Sequence, residues 1–248
     1  MTMDRSVWWA VLARSLAVQG SWNYETLTGT GFGFAILPAL RRLYPDPAAL
    51  DAAVGRHETP FNSHPYLAPL ALGAVIRLEL DGEPPEVINR FKAALRGSLG
   101  TLGDQLVWAG WRPLCVLAAL ALMVAGAPWY VAVLAFLVVY NIGHLALMMW
   151  GLSVGFSEGR YVAERLRGSV VRHTHGRLMK AAAFVASLTF ALVAVAGVPG
   201  LAAPTSTMAT VALVGAVAGA AWGERARRVG FAAVAVLVLI GVLAGTMV

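Results

Sequence analysis

Charge is what this sequence has least of. Only 13% of its 248 residues are Asp, Glu, Lys or Arg, where a water-soluble domain carries about 25%. With 58% hydrophobic residues and a mean hydropathy of +0.69, this shortage excludes an ordinary soluble globule and predicts an integral membrane protein. Cysteine is almost missing. Cys115 stands alone, which excludes an internal disulfide framework, and its apolar run points to a buried, inert thiol. Acidic residues are outnumbered, 13 against 19 Lys and Arg, for a net charge of +6. Those basic residues flank apolar runs, so they read as topology and contact with an anionic membrane surface, not as a nucleic-acid interface. No secretory signal pattern opens the chain, because Arg14 interrupts the apolar core and no small-residue cleavage pattern follows. No Ser/His/Asp or Cys/His set occurs, so no catalytic residue and no cofactor are expected of this chain.

Against this background the polar stretch from Arg56 to Tyr66 (Arg-His-Glu-Thr-Pro-Phe-Asn-Ser-His-Pro-Tyr) stands out. Polar groups are costly beside apolar segments, so a cluster of them marks a transport or binding site by default. His57, Glu58 and His64 do not fit the H-E-x-x-H zinc pattern: the second His follows seven positions after the first, with Pro60 between. His57 and Glu58 read equally as a structural hydrogen-bonded pair or as ligands. Asn62, Ser63 and His64 both donate and accept hydrogen bonds, as a sugar's hydroxyls require. Phe61, Tyr66 and Trp22 are candidate apolar faces for the sugar ring. A second polar cluster, Asn23 and Glu25, precedes Gly29, Gly31 and Gly33. That spacing lacks the Lys-Ser/Thr of a phosphate loop, and the glycines read as sites of close helix packing or a helix break.

In chain order, residues 7–19 form an amphipathic helix, either lying at a membrane interface or packed on the protein. Ala35 to Tyr44 is a helix ended by Pro45 and Pro47, and Asp46 to Arg56 is a short polar helix. Tyr66 to Ile76 is too short to span a bilayer, which takes about 20 residues, and reads as a buried or re-entrant segment. Arg77 to Lys92 is a surface excursion. In Ala93 to Pro113, Gly97, Gly100 and Gly103 recur every third residue and Asp104 follows, which reads as a second re-entrant hairpin with a polar tip. Leu114 to Ala125 and Tyr130 to Trp150 pair around Gly126-Ala-Pro128. Within the second, His144 is either a proton relay or, more simply, a satisfied core residue. Ala181–Val198 and Met208–Trp222 form another pair, and Val229–Val248 a last span.

The expected fold is therefore an all-α integral membrane protein. Re-entrant helical hairpins in the N-terminal half (1–112, with the amphipathic arm and the polar site) precede about five transmembrane helices (113–248). Basic segments before Leu114, at Arg160 to Lys180 and at Arg225 to Arg228 alternate with two uncharged turns. The positive-inside rule puts those basic segments in the cytoplasm and the C-terminus on the other side.

An ordered set of residues resembles one known family. It comprises Gln19-Gly-Ser-Trp-Asn-Tyr-Glu25, Leu37-Pro-Ala-Leu, Arg56-His57, Phe61-Asn-Ser-His-Pro-Tyr66, Gly100, Gly103-Asp104, Trp108, Arg112-Pro113, Asn141, His144 and Gly155-Phe-Ser-Glu-Gly159. The likeness is to the IID component of mannose-family sugar phosphotransferase systems. The resemblance implies a multi-pass subunit of the bacterial inner membrane that pairs with a IIC membrane subunit, assembles as a trimer of IIC–IID pairs, and is served by cytoplasmic IIA and IIB phosphocarriers. It carries over Asn23, Glu25, Asn62 and His64, with Asp104 nearby, as sugar-site residues. The departures at Glu58-Thr-Pro60 and Tyr140 leave sugar identity open. They also leave an alternative: a transport-incompetent membrane scaffold with a regulatory role. An intramembrane metalloenzyme is a third reading.

Overall fold

A computed structural model describes residues 3–167 and 170–196. The expected spans Met208–Trp222 and Val229–Val248 lie outside the described residues. Among the described residues the fold is all helical, with α1 (Arg5–Ser15), α2 (Gly29–Leu43), α3 (Pro47–His57), a 3₁₀ turn (Pro65–Leu67), α4 (Ala68–Leu80), α5 (Pro85–Gly103), a π-helical segment (Asp104–Trp111), α6 (Arg112–Val124), α7 (Trp129–Glu158), a second 3₁₀ turn (Gly159–Tyr161), α8 (Val162–Arg167) and α9 (Val170–Ala196). Two isolated bridges, Asn23 to Leu27 and Leu27 to Phe61, are the extended pairing among these residues.

The described residues divide into two compact units, one of residues 3–107 with 141–167 and 170–173, the other of 108–140 with 174–196. In the first, α4 is the central helix. Its residues from Ala68 to Ile76 are all buried, because α1, α2, α5 and the later part of α7 pack around it. At 13 residues it is about 20 Å long, well short of a bilayer core of about 30 Å. This is the buried helix that the apolar run 66–76 predicts. The packing depends on glycine at a few close approaches. A Cβ on Gly73 would collide with the Leu152 carbonyl and one on Gly155 with the Leu70 carbonyl, so α4 and α7 touch backbone to backbone. Likewise Gly31 lies against the Val18 backbone, which draws the N-terminal arm onto α2. The helix α1 is thus packed on the protein through Val11, Leu12 and Ser15, with Arg14 reaching the Phe34 carbonyl at 3.2 Å.

Of the two readings of the glycine run 29–33, close packing holds: the run opens α2, and each glycine there is in close contact with backbone or with Glu58. Two segments differ from the sequence expectation. The excursion expected at 77–92 shrinks to a turn between Leu80 and Pro85, where Gly82 takes a left-handed φ of +70°. Residues 93–113 do not turn back as a hairpin. They run on as helix from α5 through the π segment into α6. Glycines every third residue lie close together along a helix, and neither Gly97 nor Gly100 has a neighbour that requires a turn there.

Among the described residues two continuous helical stretches, Pro85–Val124 and Trp129–Leu166, are long and apolar enough to cross a membrane. Only 17% and 11% of their apolar windows are buried, which separates them from the core helices of a water-soluble domain and suits lipid or subunit contact. They meet at the expected turn, where Gly126 has φ +94°.

Candidate functional site

Asn23 shapes the loop that carries Glu25. Its side-chain oxygen accepts from the backbone N–H of Glu25 at 2.9 Å and of Thr26 at 2.8 Å. Its amide donates to the Ser21 carbonyl at 3.2 Å and to Thr26 Oγ1 at 2.8 Å. This is an Asx-type turn, closed by Leu27 at φ +56°. The loop then pairs with the opening motif. Phe61 N–H donates to the Thr26 carbonyl at 3.1 Å, and Thr28 donates to the Phe61 carbonyl through N–H at 2.9 Å and through its hydroxyl at 2.8 Å. The loop of Asn23 and Glu25 is therefore bonded to the segment of Asn62. Glu25 and Asn62 are exposed, while the Asn23 amide is used within the loop.

A buried ionic network holds the other side of that segment. Glu79 of α4 is 5% exposed and both of its oxygens are doubly bonded. Oε1 accepts from Arg56 Nε at 2.8 Å and His57 Nε2 at 2.7 Å. Oε2 accepts from Arg56 Nη2 at 2.8 Å and Tyr44 Oη at 2.5 Å. His57 thus pairs with Glu79 and not with its neighbour Glu58, which is exposed. Burial works against the Glu79 carboxylate, but the bonds from His57, Arg56 and Tyr44 together outweigh it and hold its pKa down at about 2. Burial pushes the His57 imidazole down, against the pull of Glu79. The neutral form also fits the geometry, because Nδ1 is buried without a partner and would strand an N–H if protonated. From α5, Lys92 (3% exposed) donates to the carbonyls of Arg56 at 3.2 Å and His57 at 3.1 Å and to Thr59 Oγ1 at 3.2 Å. An ammonium on the last carbonyls of α3 satisfies them and opposes the helix dipole.

Neither Glu79 nor Lys92 was among the residues singled out from the sequence, yet each leaves a helical signature. Glu79 follows Leu72, Val75 and Ile76 at spacings of seven, four and three, and Lys92 lies between Ile88 and Leu95, so both fall on apolar helix faces.

His64 is 2% exposed, and its Nδ1 accepts from the Tyr66 N–H at 3.2 Å, capping the 3₁₀ turn. Burial drives its pKa to about 4, with Asp104 opposing and His144 adding to the shift. It is neutral at pH 7, and the bond to Nδ1 puts its proton on Nε2. Gly103 lies so close that a Cβ there would overlap the His64 Cβ and its ring carbon Cγ, and come within 3.1 Å of Cδ2. This brings Asp104, exposed at the start of the π segment, beside the 62–66 segment. π segments recur at functional sites. Phe61 is fully buried against Phe32, with ring centroids 4.6 Å apart, so it has no face to offer a sugar. Trp22 remains open at 47% exposure, edge-on to Tyr24 at 4.9 Å. Of the five sequence candidates, Glu25, Asn62 and Asp104 are exposed, while Asn23 and His64 are built into the turns beneath them.

Residues 2–221 match the family described as the PTS system mannose/fructose/sorbose family IID component. The chain belongs to this family. It is 34% identical to the mannose-specific EIID component of Escherichia coli K12 over 168 residues, which cover 65% of this chain and 59% of that protein. It is 32% identical to the sorbose-specific EIID component of Klebsiella pneumoniae, over 66% of this chain and 61% of that protein. Matched regions thus span about three fifths of these IID relatives. Among solved structures, a chain of the mannose transporter ManYZ in complex with microcin E492 superposes with a TM-score of 0.60 at 28% identity, covering 78% of this chain and 70% of that one. Membership in a membrane-component family accords with the two exposed apolar helical stretches.

Proposed function

We propose that this IID component forms, with a IIC subunit, the translocation path for a hexose-type sugar that a partner IIB phosphorylates on entry. The observation that carries the reading is the family match over residues 2–221. It is supported by the backbone pairing that joins the Asn23–Glu25 loop to the Asn62 segment. In this reading Glu25, Asn62 and Asp104 reach the sugar hydroxyls directly. A carboxylate accepts and an amide both donates and accepts, which matches the needs of a polyol. Asn23 and His64 hold those three in place. The phosphohistidines belong to the IIA and IIB partners, and phosphorylation on the cytoplasmic side makes uptake irreversible. The assembly is a trimer of IIC–IID pairs in the bacterial inner membrane, crossing it several times.

Cells carrying the complete set of partner genes are expected to lose sugar uptake when this chain is deleted. Uptake that survives the deletion would favour the regulatory-scaffold alternative. Within the assembled complex, Asn62→Ala and Glu25→Ala are each expected to weaken sugar binding by about tenfold, the loss of one good hydrogen bond to a polar ligand. Assembly is expected to be normal, because both side chains are exposed. Equilibrium binding of labelled sugar to purified complex measures this, and unchanged affinity in both variants would show that the site lies elsewhere.

A further inference from the structure

Across the apolar length of α7 few side chains can form hydrogen bonds, and His144 is one of them. Its ring lies flat on Tyr66, with centroids 3.5 Å apart and planes 18° from parallel. Tyr66 in turn meets the His64 ring edge-on, at 5.0 Å and 83°. On its far side His64 abuts Gly103, the residue before Asp104. The stack therefore brings an imidazole from the middle of a candidate membrane span to the place where the 62–66 segment and the start of the π segment meet.

Stacking covers a face of the imidazole and leaves its edge, where both nitrogens lie. His144 is only partly buried, so that edge is not sealed in the core. Packing alone would be served by a phenyl ring, without the cost of placing a polar group in an apolar helix. We propose that His144 is a further sugar-binding residue, bonding a hydroxyl through a ring nitrogen while Tyr66 holds the ring in plane. This rests on the permease reading above and extends its site onto α7.

The test is equilibrium binding to the purified, assembled membrane complex. The probe is whichever of mannose, fructose and sorbose the cells take up. His144→Phe keeps a flat ring for Tyr66 and removes the nitrogens, while His144→Gln keeps a hydrogen-bonding group without the ring. The Phe variant is expected to assemble normally and to bind about tenfold more weakly, with the Gln variant intermediate. Binding by the Phe variant within about twofold of the unaltered complex overturns the assignment. If the Phe variant does not assemble, a Gln variant that binds no better than His144→Ala overturns it instead. Loss of affinity in Asn62→Ala and Glu25→Ala with normal binding in His144→Phe sinks only the His144 assignment. Normal binding in all three sinks the site as a whole.

Discussion

Replacing Glu79 with Ala is expected to cost about 3–5 kcal/mol, the usual penalty for removing one partner of a buried ion pair. The substitution leaves Arg56, the His57 ring and the Tyr44 hydroxyl facing a vacated site, with four bonds lost at once. Glu79→Gln removes only the charge, but its NH2 group would face donors from Arg56 and Tyr44 or from Arg56 and His57, so a large loss is expected there too. The readout is the melting temperature of the purified complex together with the amount assembled in membranes. Melting within about 1 °C of the unaltered protein in both variants would show that the network is dispensable. The network also sets an acid limit. Glu79 has a depressed pKa, so its contribution is fully present above the ordinary carboxylate value of 4.5 and is lost as pH falls toward about 2. His57 is held neutral by burial, so stability begins to fall below its ordinary value of 6.5, where the unfolded chain takes up the proton first. Glu79→Gln is expected to flatten the part of the profile between about pH 4.5 and 2.

The second large effect is expected at the crossing of α4 and α7. Gly155→Ala places a methyl group against the Leu70 carbonyl and 2.9 Å from the Ala74 nitrogen. Both obstacles are backbone, so no side chain can swing away and the helices must separate. Overpacking of this kind costs about 1–3 kcal/mol, sometimes more. Separation would also pull His144 from Tyr66, because His144 is on α7 and Tyr66 sits in the 3₁₀ turn that leads directly into α4. Gly155→Ala is therefore expected to lower thermal stability and sugar affinity together, whereas Asn62→Ala lowers affinity alone. A Gly155→Ala complex that melts and binds normally would mean that the helices do not approach so closely.

Much of this architecture was legible in the residues. Proline pairs and run lengths were enough to place α3 and the α6–α7 turn, since Pro45, Pro47 and Pro128 leave little choice of boundary. The polar clusters at 23–25 and 56–66 were legible because uncommon residue types stand out in an apolar chain. That they are bonded to each other was not, since pairing between positions so far apart leaves no local trace. The hairpin expected at 93–113 failed for a specific reason: a three-residue glycine rhythm is compatible with a turn and with a helix alike. The Gly151-Leu-Ser-Val-Gly155 spacing was a signal for close helix packing that went unused. Glu79 and Lys92 were hidden by their surroundings. Each is one of several charges within the polar stretch 77–92, where composition suggests solvent, whereas the three-and-four spacing to apolar neighbours points inward.

The clasp of Lys92 on the end of α3 bears on how the chain's orientation is to be counted. Charges bias insertion when they face the aqueous boundary of the membrane. Lys92 is 3% exposed and the Arg56 side chain 14%; Arg56 is paired with Glu79, and the Lys92 ammonium is spent on the Arg56 and His57 carbonyls and the Thr59 hydroxyl. In a tally of inward-directing residues neither of them votes. Charge reversal at the exposed Arg41 and Arg42 or in the basic run from Arg160 to Lys180 is therefore expected to alter the orientation of the protein, and reversal at Lys92 or Arg56 is expected to leave it unchanged.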